Sequence, residues 1–198
     1  VIAGLNRLHI NGVQFQDWHW KHHWPLAQDK TTMEPLETYI DIASRNTSLQ
    51  TIRNYIASCH KYGLKDIFYN LCFGALEDAA EDGVSEEWFI FKDTGHQEKD
   101  VHTLGAPFKS SIWLTNPADE GWLSYLGERT DDIYENLGFD GYQIDQLGGR
   151  GTVYDYNGEV VDLTESYAGF INYMKDRQPD KDLIMNAVSS FGADRIVG

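Results

Sequence analysis

The sequence has little that would tie the chain to a membrane or to nucleic acid. No apolar run approaches the length of a membrane span. The first residues lack the charged, apolar and small-residue series of a signal peptide, so we expect a mature or excised chain. Positive charge is scarce, because 16 Lys and Arg stand against 31 Asp and Glu and the net charge is −15. Such a charge disfavours nucleic acid and anionic membranes as partners, and we expect neither.

Cysteine is equally scarce, with only Cys59 and Cys72 among 198 residues. The two lack the spacing of a metal site, and they fall in a predicted helix and a predicted strand, so a disulfide between them is open but unsupported. The glycines do not form a GxGxxG loop, and no dinucleotide fingerprint is present. We therefore expect no cofactor.

Aromatic residues, by contrast, make up 13% of the chain, more than a plain core requires. In a soluble, acidic protein this composition weakly favours ring faces that contact sugars. A chain of this length can bury a sizeable core as one domain or as a large piece of one. We predict a single domain over residues 1–198, with no second domain.

Short apolar segments alternate with helical ones along the chain, which is typical of βα units and a parallel sheet. A closed (β/α)8 barrel needs eight strands and about 250 residues. An open doubly wound sheet is the alternative, but the missing nucleotide motif weakens it. We predict an α/β fold of the TIM-barrel type, a partial barrel with roughly the first five βα units. The predicted strands are Leu8–Phe15, Lys65–Phe73, Lys109–Leu114, Phe139–Asp145 and Leu183–Val188.

Two of the intervening helices are well marked. After the N-cap Ser48, apolar residues repeat at helical spacing from Leu49 to Cys59, and Gly63 gives the stop. The helical stretch between Pro117 and Leu137 is predicted to break near Gly127 and to stop at Gly138.

The stretch FDGYQIDQLGGRG carries the main candidate for catalysis. Side chains alternate along a strand, so Gln143 and Asp145 share one face while Tyr142 and Ile144 share the other. Asp145 lies at the carboxyl end of its strand, where parallel barrels build their active sites. Asp140 lies at the opposite end and on the other face, so we predict a structural role for it. The glycines that follow Asp145 allow a ligand to approach the backbone.

The segment QDWHWKHHWPL is the densest polar and aromatic cluster in the chain. His19, His22 and His23 have a spacing at which helical neighbours can share a metal ion. Tryptophans are interleaved with them and Pro25 ends the segment, so a loop is the better prediction. We expect a loop that contacts sugar or merely packs, and no metal.

Polar or aromatic residues near the ends of the predicted strands are candidate substrate contacts. For each of them a role in loop packing is the alternative; Trp18 can plug the space between loops, and Asn116 can cap the next helix. The candidates are Gln14, Asp17, Trp18, Tyr69, Asn116, Gln143 and Asn186.

Three segments carry a resemblance to a known family. LHINGVQFQDWHWKHHWPL near the start, GFDGYQIDQLGGRG and the downstream YDYNGEVVDL resemble glycoside hydrolase family 66, the dextranases and cycloisomaltooligosaccharide glucanotransferases. The resemblance implies a (β/α)8 catalytic barrel that cleaves α-1,6 glucan linkages, as in dextran, with retention. It assigns the nucleophile to Asp145, at the end of the fourth barrel strand, and places the acid/base glutamate beyond Gly198.

On this resemblance the chain is the N-terminal part of a secreted enzyme's barrel, and its partners are an α-glucan substrate and the rest of that barrel. The isolated chain is expected to be inactive, because it lacks the second carboxylate. A ring-forming transglycosylase is one alternative, since it shares the nucleophile. A non-catalytic sugar-binding fragment is the other.

Overall fold

The computed structural model describes residues 1–196. Four α-helices and nine strands lie within this range. The helices are α1 (Ile2–Arg7), α2 (Leu49–Lys61), α3 (Glu120–Leu137) and α4 (Leu163–Arg177). The strands are β1 (Gly12–Phe15), β2 (Thr38–Ile40), β3 (Asn46–Ser48), β4 (Lys65–Leu71), β5 (Gly74–Ala75), β6 (Val101–His102), β7 (Ile112–Leu114), β8 (Gly141–Asp145) and β9 (Asp182–Asn186).

The centre of the fold is a parallel sheet of four strands in the order β1-β4-β8-β9. Strand β8 pairs with β4 on one side and β9 on the other. Asp145 of β8 lies opposite Leu71 of β4 and opposite Asn186 of β9. All pairings in this sheet are parallel, so the carboxyl ends of the four strands meet at one edge. The α/β class with a parallel sheet is confirmed.

One face of this sheet packs against helices. Phe68 on β4 stacks on Tyr142 of β8, with ring centroids 4.7 Å apart. Tyr134 of α3 and Phe170 of α4 pack edge-on against these two rings. Phe68, Tyr142 and Phe170 are completely or almost completely buried. The aromatic residues of the helical face therefore form the centre of the core.

The other face of the sheet is open mainly along its edge strands within residues 1–196, where Gln14 of β1 and Ile184 of β9 are exposed. A cavity of about 660 Å³ lies along it, with Gln14, Ile67 and Ile184 in its lining. Ile184 is 41% exposed, although it lies on a strand of the main sheet. Parallel sheets are normally covered on both faces, so this apolar surface is unusual for a complete layer structure.

The third predicted strand is the main correction to the expected topology. Residues 112–114 of that segment form β7, but β7 pairs antiparallel with β5 and β6 in a separate small sheet. The parallel sheet in the described residues therefore has four strands and not five. The burial pattern agrees with the antiparallel pairing: in β7 the flanking Ile112 and Leu114 are buried and Trp113 is not, as in a one-sided antiparallel strand. In β4 every residue after Lys65 is buried, as in a central parallel strand.

The prediction for α2 is confirmed, and the prediction for α3 is wrong only in the expected break at Gly127. Helix α2 begins after Ser48, whose Oγ accepts a hydrogen bond from the Thr51 amide, and Gly63 follows it with a φ of 70°. Helix α3 does not break at Gly127 and ends before Gly138 as predicted. Gly127 is instead a contact point, because a Cβ there would lie 3.0 Å from side-chain atoms of Tyr173 and Arg177 on α4.

Two simpler findings concern the membrane and the cysteines. No helix in the described part of the chain combines the length and the apolar character needed to cross a bilayer. Cys59 and Cys72 are buried free thiols, so the open question of a disulfide between them is answered in the negative.

Candidate active site

A cavity of about 210 Å³ lies at the carboxyl edge of the parallel sheet. Asp17 reaches it from the loop after β1, Tyr69 from β4 and Asp145 from the end of β8. Gln16, His22 and His102 also belong to its polar lining. Three strand ends of the parallel sheet, together with β6 of the small sheet, which carries His102, therefore bring two carboxylates, a phenol and two imidazoles to one small space.

Three donors hold the carboxylate of Asp145. Tyr69 Oη donates to Oδ2 over 2.8 Å, and Asn186 Nδ2 donates to Oδ1 over 2.9 Å. The backbone N–H of Gln146 also donates to Oδ1, over 3.0 Å. Tyr69 and Asn186 come from the strands on either side of β8. Neighbouring strands thus fix the orientation of this carboxylate. Ile144, the preceding residue, is buried on the opposite face of the sheet, as predicted.

Tyr69 acts as a donor for a clear physical reason. Burial raises the pKa of its phenol, and the negative charge of Asp145 raises it further. The hydroxyl therefore keeps its proton at any physiological pH and can donate to Asp145. Its ring packs against His19 and His22, with centroids 5.6 and 6.4 Å away.

Asp17 is the other carboxylate in the lining of this cavity among the described residues. Its backbone is left-handed, with a φ of 50°, which costs free energy in a residue other than glycine. Arg45 donates to the Asp17 carbonyl over 2.7 Å, and Gln16 Nε2 donates to the side chain over 3.0 Å. The loop after β1 is thus pinned in a turn that directs this carboxylate to the cavity.

Gln14 and Gln143 form a linked pair on the open face of the sheet. Gln14 Nε2 donates to Gln143 Oε1, and also to Gln16 Oε1 over 2.6 Å. Gln143 lies two residues before Asp145 on β8, and Gln14 is level with Gly141, because both pair with Ile67. The amides of this pair, with Asn186, extend the polar surface from the cavity down the open face.

Five of the seven predicted substrate contacts do not line the cavity, and two of these five, Trp18 and Asn116, also lie outside the polar surface around Asp145. Trp18 is only 4% exposed, packs against Phe68 and Phe139, and donates from Nε1 to the Tyr69 carbonyl over 3.2 Å. Asn116 accepts a hydrogen bond from the Ala118 amide in the turn before α3. These contacts support the packing alternative for Trp18. The capping alternative for Asn116 is wrong, because the N-cap of α3 is Asp119, whose side chain accepts from the Trp122 amide.

His22 lines the cavity, although it is not among the individual residues predicted to contact substrate. Its Nδ1 lies 3.0 Å from Asn70 Oδ1, and the amide of Asn70 donates to the His22 carbonyl over 2.9 Å, which fixes the orientation of that amide. Nδ1 therefore carries the proton, and Nε2 is a hydrogen-bond acceptor. Sequence position could not show this, because the direction in which a loop turns is set by the partners it meets.

The three neighbouring histidines do not converge on one point. His19 Nε2 lies 3.1 Å from His22 Nδ1, whereas His23 is directed to Asp82, with Nε2 3.0 Å from Oδ2. His23 Nδ1 accepts from the Leu76 amide, so its proton is on Nε2. All three rings are buried. The loop prediction for this segment agrees with the absence of a helix between residues 16 and 37.

We expect His22 to stay neutral in the folded protein and to make stability depend on pH. Burial lowers its pKa from 6.5 to about 4. The stabilisation from keeping the ring neutral is complete above pH 6.5 and is lost as the pH falls through 4, a total of about 3 kcal/mol. Urea unfolding between pH 7.5 and 4.5 should show this fall, and a His22→Gln variant should show a smaller one. Protonation of His22 at pH 6 in nitrogen-15 NMR spectra would contradict the expectation.

The comparison with protein families decides what kind of chain this is. A family model described as glycosyl hydrolase family 66 matches residues 1–197. The chain belongs to glycosyl hydrolase family 66. The resemblance carried by its three sequence segments is thereby confirmed, and the class of the chain is that of a glycosidase.

Curated proteins similar to this family 66 chain include cycloisomaltooligosaccharide glucanotransferases and a dextranase. A cycloisomaltooligosaccharide glucanotransferase of Niallia circulans is 33% identical over 171 residues, which are 85% of this chain and 17% of that protein. A dextranase of Streptococcus salivarius is 32% identical over 88 residues, 41% of this chain and 11% of that protein. The family 66 chain thus spans only about a sixth or less of the curated relatives it matches.

Solved structures agree with the family assignment. A cycloisomaltooligosaccharide glucanotransferase from Paenibacillus sp., complexed with cycloisomaltoheptaose, superposes with a TM-score of 0.83 at 30% identity, over 93% of this chain and 27% of that one. A cycloalternan-forming enzyme from Listeria monocytogenes has a TM-score of 0.61 at 13% identity, over 100% of this chain and 20% of that one, a likeness of fold alone. The fold of this family 66 chain is therefore that of part of a known family member.

Proposed function

We propose that this chain is part of a retaining glycosidase that cleaves α-1,6-linked glucan and that Asp145 is its nucleophile. The observation that supports this most strongly is the setting of Asp145. Its carboxylate is held by Tyr69, Asn186 and the Gln146 amide in a cavity at the carboxyl edge of a parallel sheet. Such an edge is where parallel α/β enzymes build their active sites.

The chemistry needs two carboxyl groups about 5 to 5.5 Å apart, one that attacks the anomeric carbon and one that protonates the departing oxygen. Asp145 takes the first role: its Oδ atom forms a bond to the anomeric carbon as the glycosidic bond breaks. Water then releases the sugar from the glycosyl ester. The acid that protonates the leaving oxygen is, by family resemblance, a glutamate from a segment beyond Gly198.

The other polar residues of the site fit roles in holding the substrate. Tyr69 and Asn186 position the nucleophile, because each donates to one of its two oxygens. Asp17 offers an acceptor for sugar hydroxyls, and Gln14 and Gln143 extend the amide surface on the open face. Trp18 and Asn116 act through the backbone they support and not through contact with sugar.

We propose that the open face of the sheet is covered by the rest of a (β/α)8 barrel. The apolar lining of the 660 Å³ cavity, with Ile67 and Ile184, is a surface of the kind that barrel interiors bury. The chain covers 27% of the Paenibacillus structure, so that protein has ample length for further strands. On this proposal residues 1–198 are one partial barrel domain, inactive alone, of a secreted enzyme.

A ring-forming glucanotransferase is the second candidate. It is favoured by the extent of the similarity, because the Niallia circulans transferase matches 85% of this chain and the dextranase 41%. Such an enzyme uses the same glycosyl ester and lets the far end of the same glucan chain attack in place of water. The two candidates thus differ in the acceptor and not in the role of Asp145.

Product analysis on dextran tests the proposal and separates the candidates. A protein that carries this chain together with its later barrel segments should release isomaltooligosaccharides, with the α anomer formed first in NMR spectra. Mass spectrometry distinguishes linear products from rings, since a ring lacks one water. Starch, an α-1,4 glucan, serves as the control substrate and should not be cleaved. Release of the β anomer first, or no action on dextran, would contradict the proposal.

A further inference from the structure

A second cluster of ionisable side chains lies at the opposite edge of the parallel sheet from Asp145. Asp66 is the second residue of β4, Asp140 immediately precedes β8, and His60 is in the last turn of α2. The ligand atoms of these three residues lie within 4.8 Å of one another. Three separate elements therefore deliver one imidazole and two carboxylates to one place.

The backbone holds the two carboxylates rigidly. The Asp66 amide donates to Asp140 Oδ2 over 3.1 Å, and the Asp140 amide donates to Asp66 Oδ1 over 3.2 Å. This reciprocal arrangement leaves Asp66 Oδ2 facing His60, whose Nε2 is 3.0 Å from it and 3.5 Å from Asp140 Oδ2. Hydrogen bonds of this kind orient metal-binding carboxylates in many proteins.

Asp66 Oδ2 is an unpartnered atom in a fully buried side chain. Asp66 is 0% exposed, and its Oδ2 accepts no hydrogen bond from any residue in the range 1–196. Although His60 Nε2 is close, the pair lacks the geometry of a hydrogen bond. A buried carboxylate oxygen without a donor costs free energy, so a cation at this position would remove a penalty.

The distances also suit a metal ion. Zinc binds imidazole nitrogen at about 2.0 to 2.1 Å and carboxylate oxygen at about 2.0 to 2.2 Å, so tetrahedral ligand atoms are about 3.4 Å apart. The separations of 3.0 and 3.5 Å from His60 Nε2 bracket this value.

The cluster around Asp82 in the same protein already has cations, although Asp82 Oδ1, like Asp66 Oδ2, accepts no hydrogen bond. There His23, Asp78 and Asp82 have a similar composition and spacing. The ammonium groups of Lys21 and Lys30, however, contact both oxygens of Asp82 directly, so positive charge is already supplied. At Asp66 no lysine ammonium lies within ion-pair distance among the described residues; Lys65 contacts Asp182 and the far oxygen of Asp140 instead.

We propose that His60 Nε2, Asp66 Oδ2 and Asp140 Oδ2 bind a divalent cation of the zinc class. His60 and Asp140 are partly exposed, so water can supply a fourth ligand. The ion would connect the end of α2 to the starts of β4 and β8. It lies across the sheet from Asp145, so its role is structural: it holds the amino edge of the sheet and takes no part in glucan cleavage.

Zinc binding to chelator-stripped protein tests this proposal. We expect one zinc ion per chain in competition with a chromophoric chelator, and a rise of several degrees in melting temperature at saturating zinc. His60→Ala should weaken the affinity by about 100-fold or more, since loss of an outer-shell partner alone costs 10- to 100-fold. Lys61→Ala, in the same helical turn but without a ligand atom in the cluster, should bind zinc as the unmodified chain does.

Asp140→Asn is the second variant, and it guards against misfolding. Asparagine can still accept the hydrogen bond from the Asp66 amide, so the fold is retained, which circular dichroism verifies, while the ligand charge is lost. Its zinc affinity should fall as in His60→Ala. Equal zinc affinity in these two variants and the unmodified chain would overturn the proposal, as would a melting temperature insensitive to zinc.

Discussion

Replacing Asp145 by asparagine should lower the turnover of dextran by roughly 10⁴-fold or more, the order expected when a nucleophile is removed. An amide cannot form the glycosyl ester, so the first chemical step is blocked. The fold should be unaffected, because the asparagine side chain can keep the existing contacts. Its Oδ1 still accepts from Asn186 and Gln146, and its Nδ2 can donate to Tyr69 Oη in place of accepting from it.

The measurement is turnover of dextran by the protein that contains the complete barrel, with thermal unfolding recorded on the same samples. Asp182→Asn is the matched control, since it removes a half-exposed carboxylate from the other end of the neighbouring strand β9. That control should turn over dextran at close to the original rate. A fluorinated glycoside that forms a stable ester should label the peptide containing Asp145. Retained turnover in Asp145→Asn, or a label on another peptide, would refute the assignment.

The placement of Asp145 could be predicted from the sequence because it depends on one local rule. Side chains alternate along a strand, so once Tyr142 and Ile144 are assigned to the core, Gln143 and Asp145 must face the other side. The structure follows this pattern, with Tyr142 1% exposed and Ile144 fully buried. Tyr69 and Asn186 were also identified by their strand positions, and both contact Asp145.

Features that depend on tertiary partners could not be predicted in this way. A short apolar segment such as residues 112–114 pairs in parallel or antiparallel fashion according to the neighbours that reach it, and its own residues do not decide this. Glycine often marks the break of a helix, yet α3 continues through Gly127, where α4 approaches too closely for a larger side chain. Local propensity is weak enough for such packing to override it.

The loop after β1 shows the same limit within the site. Trp18 and His22 were both visible as residues beyond a strand end, but their directions are opposite. Trp18 turns into the core, while His22 lines the cavity. Tyr39, which donates to the Trp18 carbonyl over 2.6 Å, and Asn70, which holds His22, fix these directions from distant parts of the chain.

Asp82→Asn should be the most destabilising single conservative change outside the core, with a loss of about 3 to 5 kcal/mol in the free energy of unfolding. The Asp82 side chain is fully buried. Burial alone would raise its pKa, but hydrogen bonds from His23, Lys21 and Lys30 outweigh this and hold the pKa below its ordinary value. The carboxylate is therefore charged, and it is the main counter-charge for Lys21, whose side chain is only 6% exposed.

The neighbouring Asp78 provides a control in the same network. Asp78 also pairs with Lys21, at 2.6 Å, but its side chain is 45% exposed. Asp78→Asn should therefore cost at most about 1 kcal/mol, as for a solvent-exposed ion pair. Urea unfolding at pH 7.5 measures both variants. An equal decrease in the free energy of unfolding of the two variants would show that burial of the carboxylate does not determine its contribution to stability.

A double variant then separates the buried charge from the lost contacts. In the Asp82→Asn background, the ammonium of Lys21 is buried with only the half-exposed Asp78 as its partner. Changing Lys21 to methionine removes that charge while keeping most of the side-chain volume, so stability should partly recover. Additive losses in the double variant would mean that Lys21 and Asp82 do not interact energetically. Partial recovery would show that the buried ion pair of Lys21 and Asp82 fixes the polar loop after β1 to the core.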